Sequence, residues 1–72
     1  MPRLPVIRAK EVVRALQKAG FVEVRSRGSH MQLKRGNLLV TIPTHRGDLN
    51  RETLKSILRQ AKLTAEELEQ LM

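Results

Sequence analysis

His30-Met31-Gln32-Leu33-Lys34-Arg35-Gly36-Asn37-Leu38-Leu39-Val40-Thr41-Ile42-Pro43 is the stretch that decides how the chain folds. Residues 30–35 alternate polar and apolar, and residues 38–42 are rich in strand formers. Gly36-Asn37 between them makes a tight two-residue turn. Such a turn pairs Arg35 with Leu38, Leu33 with Val40, Met31 with Ile42 and His30 with Pro43. Side chains alternate across a strand, so Met31, Leu33, Val40 and Ile42 share one face, the core side. His30, Gln32, Lys34 and Thr41 share the other, which is open to water. The missing N–H of Pro43 then falls on the side away from residues 30–35, so residues 38–42 form an edge strand.

Upstream, Phe21-Val22-Glu23-Val24-Arg25 alternates and reads as a further strand. A four-residue loop over 26–29 puts Arg25 opposite His30 and Glu23 opposite Gln32, with Val22 and Val24 on the core face. Ahead of it, residues 6–19 read as a helix. Ala9, Val12, Val13, Leu16 and Ala19 follow helical spacing, Pro5 precedes them and Gly20 stops them. Lys10, Arg14 and Lys18 form a stripe on another face, which as a solvated surface needs no function.

Downstream, Thr44–Leu49 is a loop, and Asn50 or Asp48 caps a second helix. Leu54, Ile57, Leu58 and Ala61 form its buried face, with Arg51, Lys55, Arg59 and Lys62 on its exposed side. Thr64-Ala65-Glu66-Glu67 is a capping box that opens a short third helix. Two helices and a sheet, each with one apolar face, give an α+β fold. Its order is α-β-β-β-α, with a three-stranded antiparallel sheet, helices on one face and a short C-terminal helix. Double-stranded RNA-binding domains use that topology.

Seventy-two residues are expected to make one domain spanning 1–72. A core of this size contributes about 3–5 kcal/mol. With no cysteine there is no disulfide framework and no thiolate zinc site. Two histidines and scattered acids give no metal-ligand spacing, and a large cofactor has no room, so neither metal nor cofactor is expected. No stretch is long and apolar enough for a signal peptide or a membrane span, and a cytoplasmic protein is expected.

The net charge is +7 and uneven. Residues 1–47 carry ten Lys/Arg against Glu11 and Glu23, whereas residues 48–72 carry four against five acids. Nine of the fourteen basic residues are arginine, whose planar fork suits phosphate oxygens. Nucleic acid is the expected partner.

RNA carries its own nucleophile. Its 2′-hydroxyl can attack the neighbouring phosphorus once a base removes the proton, provided an acid protonates the leaving 5′-oxygen. Imidazole, which exchanges a proton near neutral pH, serves either purpose. Arg25-Ser26-Arg27-Gly28-Ser29-His30 delivers a histidine beside two arginines and a glycine loop able to hold phosphate. His30 is the candidate catalytic residue and His45 a candidate helper. Arg25, Arg27, Gly28, Ser29, Gln32, Lys34 and Arg46 are candidate RNA- or phosphate-binding residues. The alternatives are a non-catalytic RNA-binding module using the same face, and a DNA-binding accessory protein, for which no recognition helix speaks.

Gly28-Ser29-His30, Val40-Thr41-Ile42-Pro43-Thr44-His45 and Thr53-Leu54-Lys55-Ser56-Ile57-Leu58-Arg59-Gln60-Ala61, in that order, resemble the HicA (YcfA-like) toxins. The resemblance implies a double-stranded-RNA-binding-like fold and a ribosome-independent mRNA interferase of a toxin–antitoxin system, neutralised by a HicB antitoxin. It implies a catalytic role for His30 and matches His45 to the family's later histidine. The chain departs from the family at Glu52 and Lys62, where glycine is common.

Overall fold

The computed structural model describes residues 7–44 and 48–72. A three-stranded antiparallel sheet is built from β2 (Val22–Arg27), β3 (His30–Arg35) and β4 (Leu38–Pro43), in that spatial order. Helix α1 (Ala9–Lys18) precedes it; α2 (Arg51–Ala61) and α3 (Ala65–Leu71) follow. The α+β class and the helix–sheet–helix order expected from the sequence are those observed.

The β3–β4 register is as expected, from Arg35 opposite Leu38 to His30 opposite Pro43. Gly36 opens the connecting turn with φ +58°, a conformation that costs glycine nothing. Leu33, Val40 and Ile42 are fully buried, and Met31 packs partly against them. In this register, alternate pairs exchange backbone hydrogen bonds. Thr44 N–H reaches Ser29 O at 2.6 Å, which continues that alternation one step past Pro43. Pro43 itself falls where no ladder bond is required, on an edge strand.

The β2–β3 register corrects the sequence expectation. Gly28-Ser29 is a two-residue turn of the same glycine-first kind, with Gly28 at φ +58°. Arg27, not Arg25, therefore lies opposite His30, and Arg25 lies opposite Gln32. An irregularity between Glu23 and Arg25 then puts Glu23 opposite Leu33 and Val22 opposite Lys34. Val22 and Val24 are not core residues: they are 63% and 53% exposed. A bulge of this kind adds a residue that breaks the alternation on which a core assignment rests.

Helix α1 starts at Ala9, later than the periodicity indicates. Ile7 and Arg8 pair instead as a short strand, β1, with β5 (Asp48–Leu49). Ile7 and Leu49 are both buried there. Val12, Ala15 and Leu16 of α1 meet Phe21, Leu54, Ile57, Leu58 and Leu68 in one core. Arg35 closes the end of α1: its Nη1 donates to Ala19 O at 3.0 Å and its guanidinium lies 5.9 Å from the Phe21 ring centre.

Asn50, rather than Asp48, caps α2, its Oδ1 accepting Thr53 N–H at 2.7 Å. Lys62 ends that helix in the left-handed region at φ 57°, ψ 43°. Thr64 and Glu67 form the expected capping box of α3. Among the described residues no helix is long and apolar enough to cross a membrane.

Candidate nucleic-acid interface

The two glycine-first turns set the site. A two-residue turn makes its flanking residues a directly opposed pair, so Arg27 and His30 leave the hairpin on the same face. Two residues along, Arg25 and Gln32 repeat the arrangement, and Thr41 and Pro43 complete it from β4. The result is a recess of about 360 Å³ lined by Arg25, Arg27, His30, Gln32 and Thr41. Arg25, Arg27 and His30 are exposed; Gln32 and Thr41 are half-buried. Among the described residues, none that lines it is acidic. Two guanidiniums and an imidazole thus face solvent without a carboxylate among them, a surface suited to a polyanion.

Gln32 Nε2 lies 3.5 Å from Thr41 Oγ1. Thr41 is tied to α2 through its backbone, because its N–H donates to Gln60 Oε1 at 2.9 Å. Gln60 Nε2 in turn donates to Ser56 Oγ at 3.1 Å. None of these links was legible as a contact in the sequence; the signal available was the Thr53–Ala61 segment itself, which contains Ser56 and Gln60.

Of the residues expected at the site, His30, Arg25, Arg27 and Gln32 are brought together. Gly28 and Ser29 form the turn beside them rather than the recess wall. Lys34 is exposed on the same face, two residues beyond Gln32, and does not line the recess. His45 and Arg46 lie outside the described residues. Among the described residues no three His, Cys, Asp or Glu side chains gather as a metal-binding group.

The chain's one aromatic residue, Phe21, is buried. A single-stranded nucleic acid at this face therefore has guanidinium planes and the His30 imidazole, rather than a Phe, Tyr or Trp ring, to stack on.

The family described as HicA toxin of bacterial toxin–antitoxin matches residues 9–63. A chain in the solved structure of a toxin–antitoxin complex from Streptococcus pneumoniae is 32% identical. It superposes with a TM-score of 0.70, over 79% of this chain and 98% of that one. No curated protein matches. The architecture and the family match define a small α+β protein of the toxin class. The chain belongs to the HicA toxin family of toxin–antitoxin systems.

Proposed function

We propose that this chain is an endoribonuclease, an mRNA interferase that uses His30 and needs no metal ion. The observation that carries the proposal is the opposition of Arg27 and His30 in an open basic recess. His30 acts as general base or general acid. As base it takes the proton of a 2′-hydroxyl, whose oxygen then bonds to the adjacent phosphorus. The P–O5′ bond breaks, and the leaving 5′-oxygen takes up a proton from the acid. The products are a 2′,3′-cyclic phosphate and a 5′-hydroxyl.

Arg25 and Arg27 hold the phosphate and offset the charge that builds on its free oxygens. The Gln32 amide and Gly28-Ser29 support the same phosphate, and Lys34 attracts the strand beyond the recess. His45 is a helper in this scheme, with Arg46 beside it in sequence as a phosphate contact. No cofactor takes part.

One observation favours a second reading. General acid and general base are both needed, and among the described residues His30 is the one imidazole lining the recess. A non-catalytic RNA-binding module would need no second group. RNA cleavage by purified protein, with chelator present, decides between them. Cleavage by the wild type and its loss in a folded His30→Ala variant is the expected result. Binding without cleavage by either would establish the module, and equal cleavage by both would remove His30 from the mechanism.

We also propose a HicB-like antitoxin as protein partner, acting in the cytoplasm and covering the sheet face around His30. The similarity to a chain from a toxin–antitoxin complex and the open basic face support it. A complex that leaves His30 fully exposed to solvent would overturn that placement.

A further inference from the structure

Helix α2 reaches the recess from behind. The Gln60 amide has one accepting and one donating end, and its two contacts use one each: Oε1 takes the Thr41 N–H and Nε2 gives to Ser56 Oγ. The Thr41 N–H can only donate, so it settles that Oε1 meets the sheet, and Ser56, four residues earlier and one helical turn away on the same face, takes the other end. Gln60 thereby occupies a backbone donor that an edge strand would otherwise present to solvent.

That outward N–H has a consequence on the sheet's other side. A Thr41 N–H directed to α2 makes Gln32 and Thr41 a non-hydrogen-bonded pair, the kind whose side chains stand closest. The Gln32 amide accordingly reaches Thr41 Oγ1, but at 3.5 Å, the long limit of such a bond. A bond this long is sensitive to small displacements of Thr41.

We propose that Gln60 is a positioning residue: through Thr41 it holds the Gln32 amide in the orientation it presents to bound RNA. The kinetic side of this inference rests on the RNA-cleaving reading above; its structural side does not. Methionine at position 60 keeps the length of the side chain and removes the acceptor, so the Thr41 N–H loses its partner and Thr41, whose hydroxyl anchors the Gln32 amide, is released to shift. Glutamate keeps an acceptor for Thr41, and the Ser56 hydroxyl can turn to donate to it.

The test combines RNA-cleavage kinetics with amide proton–nitrogen spectra of wild type, Gln60→Met, Gln60→Glu, Gln32→Ala and the Gln60→Met/Gln32→Ala double variant. Gln60→Met is expected to lower kcat about tenfold, the scale of lost outer support, with KM within about twofold. Gln60→Glu restores kcat to within about threefold of wild type, because the acceptor returns. The double variant is no slower than Gln32→Ala alone, because one residue acts through the other. The Gln32 side-chain amide resonances move in Gln60→Met and return in Gln60→Glu.

A glutamine that merely braces the fold would lower the melting temperature but leave the Gln32 resonances in place and make the two losses additive. Either result overturns the proposal. Should the wild type not cut RNA, the cleavage reading fails and the Gln32 resonances alone decide. Should Gln60→Met not fold, Gln60→Lys removes the acceptor with a side chain whose charged end can reach solvent, and the Gln32 resonances are read there instead.

Discussion

Arg27 and His30 are an opposed pair across a two-residue turn, so the spacing between guanidinium and imidazole is set by backbone geometry rather than by side-chain packing. The turn holds because Gly28 sits at φ +58°, in open space, with nothing near a substituted Cβ. The two groups flank one short turn, and on the proposed function they act on one phosphate.

His30→Ala is the first variant to make. It should lower RNA cleavage by about 10²–10⁴-fold, the range for a lost acid–base group. Because His30 is exposed, the melting curve followed by circular dichroism should stay within about 0.5 kcal/mol of wild type.

Arg27→Ala should cost cleavage about 10²-fold, as expected for a donor that meets charge building in the transition state. Arg27→Lys should recover part of that loss, since an ammonium supplies charge without the planar fork. Lys34→Ala, on the same face but outside the recess, should leave kcat unchanged and weaken binding alone.

Binding of single-stranded RNA should fall with salt, and Arg25→Ala should reduce the log–log slope by about 0.7, one phosphate contact's share. A titration at several salt concentrations with His30→Ala as background reads this without cleavage. An unchanged slope would remove Arg25 from the phosphate contacts.

Lys62 carries a side chain at a left-handed helix terminus, where a Cβ costs about 1–2 kcal/mol. Lys62→Gly removes that cost and adds unfolded-state entropy of about 0.5–1 kcal/mol against it. The net gain, about 0.5–1 kcal/mol, should raise the melting temperature by about 3–6 °C. Lys62→Val should lower it.

Leu16 is fully buried in the core. Leu16→Ala should cost about 2–5 kcal/mol. Against a core worth about 3–5 kcal/mol, that is enough to leave much of the chain unfolded at 25 °C, which far-ultraviolet circular dichroism would show.

The β3–β4 hairpin was legible in full because its turn is short and its core face is apolar on both strands, so one register alone buries Leu33, Val40 and Ile42. The helix faces and the Thr64 cap were legible for the same reason: local pattern and tertiary packing agree. Strand β2 is less legible, because Gly28-Ser29 is the same kind of turn as Gly36-Asn37 but sits in a run, residues 26–29, whose composition equally suits a four-residue loop. The bulge at Val24 has no sequence mark, and alternation across it wrongly sent two exposed valines to the core. The β1–β5 ribbon is too short to have a period. At the site, His30, Arg25, Arg27 and Gln32 could be named from residue type, whereas the Gln60–Thr41 bond spans 19 residues and two elements that no local pattern connects.

Strand β2 stands apart from the rest of the sheet: all six of its residues are exposed, and among the described residues no strand lies on its outer side. Central β3 is paired on both flanks. The recess thus takes its imidazole and amide from the best-braced strand and its guanidiniums from the least-braced one. Local opening of β2 should need far less free energy than opening of β3, a contrast that amide hydrogen exchange resolves strand by strand. The imidazole proposed to move protons and the amide beside it are held to a fixed position, while the arginines have compliance to follow the backbone of an incoming strand. Tolerance for differently shaped substrates then becomes a mechanical property of β2, adjustable at its bulge without touching a residue that contacts the phosphate.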